Sequence, residues 1–247
     1  PKWTLAVNNE LCCNKHFIIG GHHNWYERFT NFLLKLEENF IKITSKVYYD
    51  DAELPKIGIF ILLNSGYTVR FLKNYCIIQN DSFEGTVGFV DKEGKITWSL
   101  NKFNKNSSIF KLNQKYLDNL FSQEQEIFKS KYTKWKISTD FVEHTVANIT
   151  ELSDIDISKE AQKFFGHFFG HSIAKGKTYI ELGKLGIQQI DAYFVKGYTN
   201  SISALALVEN DFVVTFTKDF CYLEKDSKLV SKIPNYEESN NFFYNLK

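Results

Sequence analysis

The chain has 247 residues, and its 30 Lys and Arg against 29 Asp and Glu give a net charge of +1. A balanced charge creates no long-range field that would gather polyanions, so bulk electrostatics argue against a dedicated nucleic-acid coat protein. With 43% apolar residues and only 3 Pro, the composition excludes a disordered or fibrous chain and predicts a compact globular protein.

Nothing in the sequence has the character of a membrane span or a secreted scaffold. The longest apolar run, Ile57–Leu63, is far shorter than the roughly 20 residues that cross a bilayer. The N-terminus shows no signal-peptide pattern. The cysteines at 12, 13, 76 and 221 match neither a zinc-ribbon spacing nor a disulfide framework. We therefore expect a cytoplasmic protein with no membrane partner.

The first half opens with a predicted strand and a long helix. Trp3–Val7 suits an opening strand. From Trp25 to Phe40, apolar residues recur every three to four positions, which is typical of an amphipathic helix with Asn24 as its N-cap. The apolar run Ile57–Leu63 predicts a strand buried on both faces.

Beyond this run the hydrophobic period changes to two, as on a sheet with one solvated face. Alternation predicts a strand at Val69–Lys73 and a hairpin that joins Thr86–Val90 to Ile96–Leu100. A polar connection then leads into a helix whose apolar positions run from Leu112 to Phe128.

The second half is predicted to begin near Lys129–Thr133 and to repeat a helix followed by strands. Apolar residues at helical spacing run from a capping Ser158 to Ser172. Ile202–Val208 and Phe212–Phe216 then alternate as two further strands.

Three short sequence matches, at offsets of 131, 132 and 133 residues, argue for one internal duplication. They pair Lys46–Tyr48 with Lys177–Tyr179, Lys2–Leu5 with Lys134–Ile137, and Phe89–Ile96 with Tyr222–Leu229. Chance similarity in a biased composition is the alternative.

The predicted fold class is therefore α+β, with two tandem similar copies. Each copy has a strand, a helix and several mainly antiparallel strands, with helices packed on curved sheets. The first copy takes residues 1–130 and includes a C-terminal helix, and the second takes residues 131–247.

His167 and His171 form a motif with metal-ligand spacing. Histidines at positions i and i+4 share one face of a helix, as the zinc ligands of metalloproteases do. Phe168 stands where that motif has the Glu that acts as general base, so hydrolysis would lack its base even with zinc bound. Aromatic-rich helices more often belong to a core. We therefore expect no cofactor, with zinc at this histidine pair as the alternative.

The segment from Ser203 to Phe220 resembles part of the flap-endonuclease-type proteins, in which an apolar helix and strand lead to an Asp-x-Asp-Phe metal site. The resemblance implies several metal-binding carboxylates, but only Asp219 has a counterpart. Thr217 stands at the first Asp of the pair, and Asn200 stands at an upstream acidic position. A protein of this kind would be a degenerate nuclease, and the predicted antiparallel hairpins conflict with the parallel sheet of that family.

Because no complete catalytic motif is present, the sequence favours by elimination a non-enzymatic protein that binds another macromolecule. We expect one protein partner, which the chain neutralises or regulates in the manner of an immunity or inhibitor protein. Trp25, Tyr26 and Trp98 are candidate partner-binding residues, since aromatic side chains dominate binding hot spots.

Two other classes of function stay open. One is a clamp or saddle on nucleic acid, with Lys and Arg gathered in a groove between the two copies despite the neutral total charge. The other is an enzyme, which would be either metal-dependent through His167 and His171 or related to the degenerate nucleases.

Overall fold

The computed structural model describes residues 2–6, 11–13, 28–36, 39–49, 56–80, 84–90, 96–104, 106–123, 135–138, 142–165, 169–238 and 241–246. The chain divides into two compact units. Unit 1 comprises Pro1–Glu124, Thr215–Lys218 and Glu237–Phe242, and unit 2 comprises Gln125–Val214, Asp219–Tyr236 and Phe243–Lys247. The domain ranges 1–130 and 131–247 stay a prediction.

The elements before residue 124 belong to unit 1. In chain order they are Lys2–Ala6 (β1), Leu11–Cys13 (β2), Arg28–Leu36 (β3), Asn39–Tyr49 (β4), Lys56–Gly58 (β5), Ile59–Asn64 (α1), Tyr67–Leu72 (β6), Tyr75–Asn80 (β7), Glu84–Val90 (β8), Ile96–Asn104 (β9) and Ser108–Ser122 (α2).

The sheets of unit 1 mix parallel and antiparallel pairs. Strand β1 pairs in parallel with β5 and antiparallel with β9. Strand β2 pairs in parallel with β4 and antiparallel with β5, while β3 and β4 form a hairpin. Strands β6 to β9 form an antiparallel meander. Sheets with few helices confirm the predicted α+β class.

The second series of elements begins at residue 135. In chain order they are Trp135–Ser138 (β10), His144–Val146 (β11), Ser153–Asp156 (β12), Ala174–Glu181 (β13), Ile187–Phe194 (β14), Ser201–Ser203 (β15), Ala204–Glu209 (α3), Phe212–Phe216 (β16), Phe220–Lys225 (β17), Lys228–Glu238 (β18) and Asn241–Leu246 (β19). The last residues of β16 and β18, and the first of β19, belong to unit 1.

The pairings of unit 2 follow the same order as those of unit 1. Strand β10 pairs in parallel with β15 and antiparallel with β19. Strand β11 pairs in parallel with β14 and antiparallel with β15, and β13 and β14 form a hairpin. Strand β12 adds to the other side of β13, and β17 pairs antiparallel with β18.

Each unit also has a six-residue helix directly after the strand that pairs in parallel with its first strand. Gly66 N–H donates to Leu63 O at the end of α1, and 145 positions later Asp211 N–H donates to Val208 O at the end of α3. Gly66 has φ +82° and Asp211 has φ +65°, so both turns use a left-handed residue to leave the helix. This offset differs from the 131 to 133 residues of the sequence matches.

Helix α2 forms in the predicted region, although Phe128 lies outside the described residues. Ser107 caps it by accepting a hydrogen bond from Phe110 N–H at 3.1 Å. The expected apolar face is only partly used, because Leu112 is 69% exposed while Asn113 is buried. Asn113 Nδ2 donates to Gln79 Oε1 at 2.9 Å, so an amide pair joins the helix to β7.

The predicted helix between Trp25 and Phe40 is wrong. Arg28–Leu36 and Asn39–Tyr49 are the two strands of a hairpin, paired from Arg28 opposite Val47 to Leu36 opposite Asn39. The spacing of Phe, Leu and Ile in this stretch also fits a two-residue period, and pairing with the next strand favours that period. Asn24 and Trp25 lie outside the described residues.

Two apolar runs predicted as strands are strand for their first two residues only and then helix. Ile57–Leu63 passes from β5 into α1, and Ile202–Val208 passes from β15 into α3. Periodicity cannot separate a buried strand from a buried helix when the run is apolar on every side. In the run Ile202–Val208, Ser203 sets the point where the helix begins, because its Oγ accepts from Ala206 N–H at 3.0 Å and caps α3.

The predicted helix from Ser158 to Ser172 is also wrong. Ser158 caps only a 3₁₀ turn at Lys159–Ala161. The chain then folds back on itself, with Phe164 and His171 in an antiparallel bridge. Residues 166–168 lie outside the described part of the chain. Glycine is a poor helix former, which explains why the Phe-rich spacing here does not produce a helix.

A close backbone contact fixes the tip of the β13–β14 hairpin. Leu182 N–H donates to Gly186 O at 2.9 Å and closes the tip, and the Leu182 side chain is buried. Gly183 has φ +47°, and a Cβ at this position would overlap the Val230 carbonyl oxygen of β18. Glycine therefore allows the hairpin tip to rest against β18.

We predict that Gly183→Ala lowers the free energy of unfolding by about 3–5 kcal/mol, from left-handed strain and overlap together. The matched control is Gly197→Ala, because Gly197 has φ +80° and open space around it. It should lose only about 1–2 kcal/mol, from strain alone. Urea denaturation of both variants measures the difference, and equal losses would contradict the contact with β18.

Candidate interaction surface

One side of the β13–β14 hairpin forms a surface that we call the hairpin face. Opposite residues of an antiparallel pair lie on the same side of a sheet, and sides alternate along each strand. The register therefore places four cross-strand pairs on one side: Lys175 with Tyr193, Lys177 with Asp191, Tyr179 with Gln189, and Glu181 with Ile187. The intervening residues of β13, from Ala174 to Ile180, are buried and attach the hairpin to the core of unit 2.

The hairpin face exposes large apolar side chains at one end. Tyr179 is 60% exposed and Ile187 is 59% exposed, and Leu185 at the tip is also exposed. Gln189 Nε2 donates to the Tyr179 hydroxyl at 3.0 Å, which limits the freedom of the ring before any partner binds. Exposed aromatic and aliphatic groups on a fixed hairpin are typical anchors of a protein interface.

At the other end of the hairpin face, each lysine has a carboxylate nearby. Lys175 Nζ lies 3.3 Å from Asp191 Oδ2, and Lys177 Nζ lies 3.5 Å from Asp154 Oδ2 on β12. Lys175 Nζ also lies 5.8 Å from the centre of the Tyr193 ring. Such exposed pairs add little stability, but they neutralise the face locally.

The neighbouring strand β12 is a poor template for another strand. Among the described residues it pairs with β13 alone, so its other side is an edge. A register shift interrupts the β12–β13 ladder between Ser153 and Asp156, and Asp154 has φ +51°. Irregular geometry and aspartates are features that protect sheet edges from pairing. The hairpin face, not this edge, is therefore the candidate interaction surface.

Sequence reasoning missed Tyr179 and Ile187, although a usable signal was present. Residues 174–181 alternate between small or apolar and polar or aromatic side chains, and glycines at 183 and 186 mark a turn. That pattern is typical of a hairpin with one buried side.

The structure does not reproduce the helical spacing that suggested zinc at His167 and His171. His171 is exposed and its ring lies 5.2 Å from the Phe164 ring, while His167 lies outside the described residues. No cluster of three or more His, Cys, Asp or Glu suited to a metal occurs among the residues that the structure describes. Zinc at this pair stays a prediction, because His167 lies outside the described residues.

The three aromatic residues predicted to bind a partner stay predictions. Trp25 and Tyr26 lie outside the described residues. Trp98 belongs to β9, where its backbone pairs opposite Gly88.

The residues compared with the nuclease metal site have other surroundings. Asn200 is buried, its Oδ1 accepts from Ala147 N–H at 2.6 Å, and its Nδ2 donates to Glu151 Oε2 at 2.7 Å. Asp219 is exposed in the bend directly before β17. The amide of Asn200 thus serves to join two loops of unit 2 by hydrogen bonds.

His144 and Ser203 meet inside unit 2 in an arrangement that is structural. His144 is 7% exposed, and its Nδ1 accepts from Ser203 N–H at 3.0 Å. Nδ1 is therefore the unprotonated nitrogen of a neutral ring. Burial lowers the pKa of His144 from 6.5 to about 4, although the Asp191 charge acts in the opposite direction. The lone pair of Nδ1 already accepts from the Ser203 backbone N–H, so this nitrogen is not positioned to take a proton from the Ser203 hydroxyl, whose Oγ accepts from Ala206 N–H.

Comparisons with known proteins leave the chain without a relative from which a function could be transferred. No family model matches it, and neither does a curated protein or a solved structure.

We predict that acid weakens unit 2 through His144. In the unfolded chain the His144 ring takes up a proton below pH 6.5, whereas in the folded chain it stays neutral down to about pH 4. Stability should therefore be complete above pH 6.5 and should fall by up to about 3 kcal/mol as the pH drops towards 4.

Urea denaturation of His144→Asn across this pH range tests the assignment. The Asn Oδ1 can accept from Ser203 N–H but does not titrate, so this part of the pH dependence should disappear. His171→Asn is the matched control and should retain it, because the His171 ring is exposed. An unchanged pH dependence in His144→Asn would refute the role of His144.

Proposed function

We propose that the chain is a non-enzymatic macromolecule-binding protein that binds one protein partner through the hairpin face. In this proposal it neutralises or regulates the partner, as an immunity or inhibitor protein does. The observation that carries the proposal is the exposure of Tyr179 and Ile187 on a hairpin whose tip is held against β18. Preorganised aromatic anchors gain affinity because little side-chain freedom is lost on binding.

The charges of the hairpin face support a protein partner over nucleic acid at this surface. Lys175 and Lys177 each have an aspartate within 3.5 Å, so neither presents an uncompensated positive charge to a phosphate backbone. Protein interfaces commonly have an apolar centre beside a polar rim, and the hairpin face combines the same two components.

We propose the cytoplasm as the place of action. Cys76 and Cys221 are both buried and free, as is usual for proteins in a reducing compartment. Burial raises the pKa of the Cys76 thiol to about 12 and also raises that of Cys221, so neither thiol is readily activated. None of the helices in the described ranges is long and apolar enough to span a membrane.

We also propose that the two units are tandem copies of one ancestral segment. The shared order of strand pairings supports this, as does the left-handed turn at Gly66 and at Asp211. The two central regions correspond at an offset of 145 residues, whereas β1 and β10 correspond at 132, through Thr4 and Lys136. Insertions between strands would explain why one sequence offset does not fit throughout.

The first test is a tagged pull-down from source-cell lysate, with and without nuclease, followed by mass spectrometry. We expect one protein in stoichiometric amount that survives nuclease and high salt. Retention of nucleic acid alone would contradict the proposal, because the hairpin face is charge-compensated.

The second test measures affinity for the captured protein with surface variants. Tyr179→Ala and Ile187→Ala should each weaken binding by about 10- to 30-fold, as truncation of an interface anchor does. Tyr75→Ala is the matched control, since Tyr75 is an exposed tyrosine on β7 of unit 1, and it should change affinity less than about 2-fold. If all three variants bind like the parent chain, the hairpin face is not the interface.

A further inference from the structure

The hairpin face changes its charge along its length. On β13 the residues of this side are, in order, Lys175, Lys177, Tyr179 and Glu181. Positive charge therefore lies on one side of the exposed Tyr179 ring, and negative charge lies on the other. At about 3.4 Å per residue, Lys177 and Glu181 are each about 7 Å from Tyr179 along the strand.

This order of charges makes the hairpin face complementary to itself. A second copy can face the first about a twofold axis that lies between the two faces and crosses the strands at Tyr179. The residue two positions before Tyr179 then lies opposite the residue two positions after it in the other copy. Lys177 of each copy therefore faces Glu181 of the other, and the two Tyr179 rings meet at the axis.

The same axis gives the two faces their largest overlap. Tyr179 lies midway between Ala174, where β13 begins, and the tip at Gly183–Leu185. On β14 the axis passes Gln189, which pairs with Tyr179 and donates to its hydroxyl at 3.0 Å. The tip of each copy then reaches the end of the other hairpin, so the axis leaves neither end of the face uncovered.

The salt bridge within one copy does not prevent this contact. Lys177 Nζ lies 3.5 Å from Asp154 Oδ2, but the Lys177 side chain is still 45% exposed. An exposed ammonium group has three donors and can serve a second carboxylate. The charge pattern thus favours a second copy with its opposite charges in register.

The area of the hairpin face limits how tightly two copies can bind. The eight residues of β13 span about 27 Å, and the three strands β12 to β14 are about 4.8 Å apart. Their footprint is therefore about 400 Å², which is half of the roughly 800 Å² that each partner buries in a standard interface. A face of this size supports a transient dimer.

We infer that the chain forms a weak homodimer through the hairpin face and thereby covers its own binding surface at high concentration. As a regulation of the proposed binding site, this rests on the proposed function. The dimer itself requires no other protein, so it can be measured on the chain alone.

The first test is analytical ultracentrifugation of the full chain between about 1 and about 500 μM. We expect a monomer–dimer equilibrium with a dissociation constant of about 10–100 μM, as for small interfaces. Tyr179→Ala should raise this constant at least about 10-fold, because it removes the side chain at the axis. A parent chain that stays monomeric at every concentration would overturn the inference.

The second test reverses the charges that face each other. Lys177→Glu and Glu181→Lys each bring like charges opposite one another, so each should raise the dissociation constant at least about 10-fold. An equimolar mixture of the two variants should dimerise like the parent chain, because in the mixed dimer each reversed charge faces an opposite charge. Restored dimerisation also shows that both variants fold.

The matched control uses two exposed residues of α2 in unit 1. Lys111→Glu and Asp118→Lys change the net charge by the same amounts as the two hairpin variants. Alone or mixed, they should stay within about 2-fold of the parent chain, since α2 is not part of the hairpin face. An equal loss in the control would show that net charge decides dimerisation, and it would overturn the inference.

The mixture also tests the direction of the axis. A twofold axis along the strands would place Lys177 opposite Asp191 instead of Glu181, because β13 would then face β14. In that case the mixture would stay as weak as Lys177→Glu alone, which would overturn the proposed arrangement. A monomeric chain that still binds its captured protein would leave the proposed function intact. A dimer without any captured protein would contradict the proposed function alone.

Discussion

The parallel pairing of β10 with β15 constrains the whole of unit 2, because parallel neighbours cannot be joined by a tight turn. The chain between them must make a long crossover, which here contains β11, β12 and the β13–β14 hairpin. Asn200 holds the end of that crossover in place by hydrogen bonds. Its backbone oxygen accepts from Lys136 N–H, and its side chain forms hydrogen bonds with Ala147 and Glu151. The hairpin face is therefore part of a crossover that is tied at its end to the sheet, and it does not belong to a free loop. Rigid attachment of this kind is what a preorganised binding surface requires.

The same type of crossover is present between β1 and β5 of unit 1, and it contains the other hairpin. The two hairpins differ in their charged residues. Aspartates beside Lys175 and Lys177 remove the net attraction for a polyanion, so exposed Tyr179 and Ile187 dominate that surface. Strands β3 and β4 contain no Asp or Glu, so the two hairpins differ in sequence composition. Although the net charge of the whole chain is only +1, the β3–β4 and β13–β14 hairpins, which have the same pairing pattern, differ in their charged residues.

The sequence predicted elements well where only one hydrophobic period fits. Strands β6 and β9 alternate cleanly, and helix α2 has apolar residues at helical spacing and a serine cap. Prediction failed where two periods fit the same residues. Phe29, Phe32 and Leu36 satisfy a helical spacing, yet their chain segment pairs as a strand with the segment that follows. The run Ile59–Leu63 is apolar throughout, so its pattern does not distinguish a buried helix from a buried strand. The zinc hypothesis at His167 and His171 depended on one such misassigned helix.

By itself the sequence determined the α+β class, the individual turns and strands with a single period, and the lack of a complete catalytic motif. These features depend on residues close together in the chain, whose steric and hydrophobic preferences act locally. Only the tertiary structure decided that β10 pairs in parallel with β15, that Asp191 and Asp154 lie beside the lysines, and that Leu112 is exposed. It also decided that His144 is buried and neutral against Ser203. These features depend on contacts between segments that are far apart in the chain. The hydrophobic pattern of one segment does not show which other segment it will pair with.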